Sequence, residues 1–285
     1  MTARLLPDTA GFNLCLVSPA GDVSTHCLAE VAMLLSSTLA SLGHDCVFTP
    51  NALMPDRVNI LLGYQALPYT PDLARFTYIP YQLEQLHAQT GLFNANAAAI
   101  LSSAAEVWDY SPANIAFLAE RGIAAKHLPL GWHEDLHRFD QAPDKDIDLL
   151  FYGMMNERRM AVLRAAHDLG LKVEALFGVF LAERDEMIAR AKVVLNMHYY
   201  PMRIFEAVRV SYLLNNACFV VNEESEDNPY PRCGLIFAPA EDLAETCKYF
   251  ADRAEEREAL RLRSHLAFKT HYPMTAHLRA VLEAR

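Results

Sequence analysis

Short β-branched apolar runs alternate with helical patterns along almost the whole chain, in two series. In the first, strand-like runs fall at 12–18, 46–49, 58–62, 76–80, 106–110 and 125–128, with helical patterns at 27–42, 95–103 and 112–121. In the second, strands are expected at 147–152, 173–177, 193–197, 218–222 and 235–238, with helices at 157–169, 182–191, 204–214, 241–263 and 273–283. Unbroken apolar runs of this length suit strands covered on both faces, and strand–helix alternation implies parallel pairing through crossover helices. Between the series lies a charged stretch, 134–145, with Pro143 and no apolar period, which reads as a linker. The expected fold is α/β, with two Rossmann-like domains facing a cleft. Its expected divisions are 1–137, 138–265 and a C-terminal helix in 266–285, for which a return to the N-terminal domain is left open.

Composition narrows the function. The 285 residues carry a net charge of −10 and no basic patch, which argues against nucleic acid and against docking on anionic membrane by charge alone. The six cysteines, at 15, 27, 46, 218, 233 and 247, form no C-x-x-C pair and sit near no histidine at zinc-ligand spacing, so reduced thiols and no metal are expected. No apolar run approaches the roughly 18–20 residues of a membrane span. Pro7 and Asp8 interrupt any signal-peptide core, so a cytoplasmic protein is expected.

Ligands of parallel sheets bind beyond the carboxyl ends of the strands. The most informative such loop lies in 193–209, where an apolar strand runs through Asn196 and His198 to Pro201 and a helical pattern opens at Arg203-Ile204-Phe205-Glu206. Free N–H groups and the helix dipole make such a mouth attractive to anions. Arg203 suits a diphosphate and Glu206 a ribose diol. Arg203, Glu206 and Arg209 are expected on one broad helical face, their blander reading being a salt-bridge ladder. His198 is either a histidine at the edge of the core or a donor to phosphate. After 147–152 comes Gly153, then Asn156 as a helix cap, then Arg158 and Arg159 in the first turn, where cations oppose the dipole. That pair is either surface arginine or a seat for an anion. After the next strand comes Glu223-Glu224-Ser225-Glu226-Asp227-Asn228, where one glutamate, taken as Glu223, is expected to reach a sugar or ribose hydroxyl and the rest reads as a solvated acidic loop.

Other signatures are missing. There is no G-x-G-x-x-G after the first strand, no G-x-x-x-x-G-K-[ST] and no G-x-S-x-G. The D-x-D triplets at 144–148 precede a strand rather than follow one and read as a solvated charge run. In the first half, Asp22, His26 and Glu84 follow strands and are candidate general bases, against the plainer role of helix capping.

The second half resembles the donor domain of GT-B glycosyltransferases. The residues that carry the likeness are Asp148-Leu149-Leu150-Phe151-Tyr152-Gly153, Asn156-Glu157-Arg158-Arg159, the run from Ala191 to His198, and Arg203-Ile204-Phe205-Glu206-Ala207. The nearest group is the spore-maturation-type, group 1-like bacterial glycosyltransferases, and the likeness spans roughly residues 110–260. In related enzymes two glutamates bracket seven residues: the second holds the ribose and the first approaches the sugar. Glu206 matches the second position, and His198 stands at the first. The resemblance also implies that Arg158 or Arg159 contacts the diphosphate, and that the acceptor half is trimmed.

These readings converge on a metal-independent sugar transferase with a nucleotide-diphospho sugar as donor substrate, no cofactor and an unidentified acceptor. The expected donor contacts are Gly153, Asn156, Arg158, Arg159, Asn196, His198, Arg203, Phe205, Glu206 and Glu223. Rival readings are a non-catalytic binder of a sugar nucleotide or partner protein, a sugar-nucleotide epimerase, and an α/β module for another phosphorylated ligand.

Overall fold

The computed structural model describes residues 11–19, 24–87, 90–200 and 203–284. The chain forms two compact units, one of Met1–Leu130 with Met274–Arg285 and the other of Gly131–Pro273.

The first unit holds a six-stranded sheet in the order β2-β1-β3-β4-β5-β6, every neighbour parallel. Its strands are β1 (Phe12–Leu16), β2 (Cys46–Phe48), β3 (Val58–Leu62), β4 (Thr77–Gln82), β5 (Trp108–Asp109) and β6 (Lys126–His127). The helices are α1 (Ala29–Ser41), α2 (Ala95–Ser103) and α3 (Pro112–Ala119). β1 and β3 are buried along their whole length, as continuous apolar runs require. The two asparagines inside them satisfy each other: Asn13 Nδ2 donates to Asn59 Oδ1 at 2.9 Å. The fourth strand, expected to stop at Pro80, runs on to Gln82. Its ladder pairs with β3 as far as Pro80 and with β5 from Tyr81, so the residue without an N–H falls where the pairing changes partner.

The second unit holds a five-stranded parallel sheet, β11-β10-β9-β7-β8. Its strands are β7 (Ile147–Tyr152), β8 (Val173–Leu176), β9 (Ala191–Asn196), β10 (Val220–Glu223) and β11 (Ile236–Ala238). Its helices are α4 (Glu157–Asp168), α5 (Leu181–Arg190), α6 (Ala207–Asn215), α7 (Leu243–Ala251) and α8 (Ala254–His271). Both faces are covered. Val193 and Leu195 join Phe151, Leu243 and Phe250 in one core, while Val194 joins Leu150, Ile188 and Leu213 in the other.

Two expectations change here. The helix expected over 241–263 is two helices. Buried Arg257 donates to the carbonyls of Phe250 and Ala251, capping α7 from the first turn of α8. The stretch 134–145 is not a free linker: Leu136 is buried, and the Arg138 N–H donates to Asn216 Oδ1 at 2.6 Å. Gln141 Nε2 donates to the Asn216 carbonyl, so a few anchored positions hold a stretch whose charged side chains are mostly exposed. Asp146 and Asp148 pair with Arg190, Lys172 and Lys192 in ordinary surface ion pairs.

The last helix, α9 (Met274–Glu283), belongs to the first unit. Met274 and Leu278 are buried, and Lys126 Nζ donates to the Ala284 carbonyl at 2.6 Å. The two chain crossings between the units are tied together. The Trp132 N–H donates to the Tyr272 carbonyl at 2.7 Å, and Trp132 bridges to Pro273. Among the described residues no helix is long and apolar enough to cross a membrane, and all six cysteines are unbridged.

Candidate functional site

The register of β7, β9 and β10 sets their carboxyl ends side by side, so the loops after Tyr152, Asn196 and Glu223 meet at one edge of the second sheet. Arg159 ties the first two loops together. Asn156 caps α4 by accepting the Arg159 N–H at 2.9 Å, which fixes the turn from which the side chain leaves. Its guanidinium, 2% exposed, donates to the carbonyls of Met154, Met197 and His198, and lies over the rings of Phe151 and Tyr199. Glu206 is 3.9 Å away. Burial, with the nearby charge of Arg209, pulls this guanidinium down to about 10, so it stays charged near neutral pH.

Arg158 ties the second loop to the third. Its two terminal nitrogens meet both oxygens of the Glu223 carboxylate at 2.6 and 2.9 Å, and one also donates to the His198 carbonyl at 2.6 Å. Glu223 accepts a further bond from the His198 N–H at 2.9 Å. Its carboxylate, expected to face a ligand hydroxyl, is thus engaged by protein donors. Burial alone would raise the Glu223 carboxyl, but the Arg158 and His198 hydrogen bonds outweigh it and hold the group below its ordinary value.

His198 is 1% exposed, and burial holds its imidazole below the ordinary value, hence neutral near pH 7. Nε2 lies 3.1 Å from the Glu224 carbonyl, which only accepts, so Nε2 carries the proton. Nδ1 is then a bare acceptor, buried and without a partner. In this state the ring spends its N–H on the Glu224 carbonyl and presents only an acceptor at Nδ1.

The Glu223 pairing sets a pH dependence. A carboxyl held low in the fold stabilises it fully above the unfolded value of 4.5, and that contribution is lost as pH falls through the folded value. Glu223→Gln is therefore expected to cost about 1–3 kcal/mol at pH 7, as an engaged buried acceptor is weakened. Melting curves between pH 7 and pH 3 should show the gap between wild type and variant closing only below about 4.5. A constant gap would mean that the charge of Glu223 is immaterial.

The segment before α6 departs from expectation. The helix opens at Ala207, not in 203–204, and Glu206 is its cap residue. Arg203 lies outside it with φ of 52°, and is exposed. Long-range bonds hold 203–205 out of the helix: Ser225 Oγ and the Glu226 N–H donate to the Arg203 carbonyl, and the Phe205 N–H donates to Asp227. The Phe205 ring, 1% exposed, packs on Tyr230 and Phe237 in the core beneath the site. Arg203, Glu206 and Arg209 therefore do not share a helical face.

Arg209, grouped in sequence with Arg203 and Glu206 but absent from the expected donor contacts, stands among the residues of this edge. Its Nη1 donates to Asn196 Oδ1 at 2.9 Å, and its guanidinium lies over Phe151 and Tyr152. Asn196 is oriented in turn by Asn222, whose Nδ2 donates to the Ile236 carbonyl. Gly153 makes the space. A Cβ there would stand 2.9 Å from Arg209 Nη2, and its φ of 130° is one that side chains rarely adopt. Only a glycine between strand and helix, followed three residues into α6 by an arginine, signals this in sequence.

In the first unit, Asp22 lies outside the described residues. His26 is exposed in a short 3-10 turn, and Glu84 is half-buried two residues beyond β4. The carbonyl of Glu84 accepts from Gln82 and Asn114. Nearby Asp109, at the end of β5, is fully buried. One oxygen takes bonds from the Ser111 N–H and Asn114, and burial pushes the carboxyl well above its usual range.

Two all-parallel α/β units of this kind are the GT-B architecture, and the fold of the chain is GT-B. The chain is similar to HepE of Anabaena, solved in complex with UDP-glucose, with a TM-score of 0.63 and 10% identity over 95% of this chain and 98% of that one. It is similar also to the DNA-modifying enzyme β-glucosyltransferase, solved with and without its substrate uridine diphosphoglucose, at 0.61 and 11% over 96% and 99%. AviGT4, a glycosyltransferase involved in avilamycin A biosynthesis, matches at 0.56 and 14% over 95% and 96%. No protein-family model and no curated protein matches the sequence.

Proposed function

We propose that the chain is a glycosyltransferase that takes a sugar from a nucleotide-diphospho sugar and passes it to an acceptor, without a metal ion. The observation that carries this reading is the edge where β7, β9 and β10 end: three guanidiniums, Arg158, Arg159 and Arg209, against two carboxylates, Glu206 and Glu223. Set positive charge in a partly dry site favours a reaction whose leaving group gains negative charge. In sugar transfer, the bond from the anomeric carbon to the diphosphate oxygen breaks and that charge appears on the diphosphate. The UDP-glucose bound to HepE and the uridine diphosphoglucose that is the substrate of β-glucosyltransferase make nucleotide-diphospho sugars the class to test first.

In this reading the exposed edge of Arg158, with Arg203, receives the diphosphate, and Glu206 accepts from the ribose hydroxyls. The acceptor belongs to the N-terminal unit, where Asp22, His26 or Glu84 takes the proton from its nucleophilic hydroxyl as the new bond forms. A ligand that binds only the native state raises its melting temperature, so a panel of sugar nucleotides will identify the donor. Titration calorimetry with the corresponding nucleoside diphosphate should show Glu206→Ala binding about tenfold more weakly, as one or two lost hydrogen bonds to a charged group imply. Equal affinity would remove Glu206 from the site. Released nucleoside diphosphate marks a transferase or hydrolase, and an epimerised sugar nucleotide would replace this reading with an isomerase.

A further inference from the structure

The three guanidiniums of the second unit are not equivalent. Arg158 has a carboxylate in hand, both of its terminal nitrogens resting on Glu223. Arg159 is spent on three backbone carbonyls, with Glu206 at 3.9 Å. Among the described residues Arg209 makes one hydrogen bond, to the neutral Asn196, and its buried Nε has no partner. Among the described residues no carboxylate pairs with it. It also shares the Phe151 ring with Arg159, the two guanidinium carbons lying 5.8 and 5.1 Å from the ring centroid. Like charges this close repel, and a half-buried cation without a counter-charge is costly. The surroundings nevertheless hold it in place. The Asn222–Asn196 relay fixes its hydrogen-bond partner, and Gly153 leaves out the Cβ that would stand 2.9 Å from Nη2.

A cation kept half-dry, next to another cation and without an anion, is built for an anion that arrives with a ligand. We propose that Arg209 is a further anion-binding residue of this site, beside Arg158 and Arg203, and that its unspent N–H groups take a phosphate oxygen of the ligand. The identity of that ligand as a nucleotide diphosphate rests on the reading above; the anion site itself does not. Arg209 thereby supplies the net charge of the cluster, because the charges of Arg158 and Arg159 are already largely opposed by Glu223 and Glu206.

The test is titration calorimetry of wild type, Arg209→Gln, Arg209→Lys and Gly153→Ala with two probes, inorganic pyrophosphate and a panel of nucleoside diphosphates. Arg209→Gln should bind either probe about 10–100-fold more weakly, one or two charge-assisted hydrogen bonds being lost. Its ligand-free melting temperature should stay level or rise, because repulsion with Arg159 is relieved. Arg209→Lys should fall between. Gly153→Ala, which crowds the guanidinium without removing it, should weaken binding in the same direction, so the proposal stands even where the glutamine variant folds poorly. Wild type binding pyrophosphate through Arg209 but no nucleotide would keep the anion site and defeat the nucleotide reading. Nucleotide binding at full strength in Arg209→Gln would keep the nucleotide reading and overturn the assignment of Arg209. A lowered melting temperature with unchanged affinity would overturn it as well, since Arg209 would then only be holding the fold.

Discussion

Arg159→Ala is expected to cost the second unit about 3–7 kcal/mol. The side chain is 2% exposed and bonds the carbonyls of Met154, Met197 and His198. Arg158 still serves His198 in the variant, so two carbonyls lose their side-chain donor, at about 1–3 kcal/mol each. The contacts with Phe151 and Tyr199 add about 1 kcal/mol. Arg159→Lys should recover less than half of the loss, because one ammonium cannot copy a planar fork that reaches three acceptors. Urea denaturation followed at Trp132, in a Trp108→Phe background, reports on the second unit alone, since each unit holds one of the two tryptophans. A loss below about 1 kcal/mol would mean that water replaces the guanidinium at these carbonyls.

Phe205→Ala follows, at about 3–5 kcal/mol, the usual range for emptying a buried aromatic site. Its ring is 1% exposed and packs edge-on against Tyr230, which packs in turn on Phe268 and Tyr272. The loss should appear in the same Trp132 signal, while nucleotide affinity at saturating folded protein changes little. A variant that keeps its stability but loses ligand would move Phe205 from the core into the binding surface.

These two residues also mark what could and could not be read from the chain. β3, β7 and α2 stand where the apolar period and the caps put them, because local chemistry decides them. Asn156 is the cap its position suggests. Residues 203–205 misled because a helical pattern there is overruled by partners some 22 residues away, Ser225 and Asp227 among them. The break between α7 and α8 has no glycine or proline to announce it; a buried arginine one turn later makes it. The arginines were visible, but their division of labour was not. Sequence placed Arg158 and Arg159 at a helix start, and only the fold reveals that carbonyls and Glu223 occupy them while Arg209, three residues into another helix, has no counter-charge among the described residues.

The return of α9 to the first unit has a consequence for how the chain folds. The second unit is an insertion whose two ends are stitched together at Trp132 and Pro273. It is continuous in sequence, whereas the first unit is built from two separated stretches of chain. The bond from Lys126 to the Ala284 carbonyl spans 158 positions, so the loop that closes the first unit contains the whole of the second, and a second unit already folded shortens the distance that loop has to bridge.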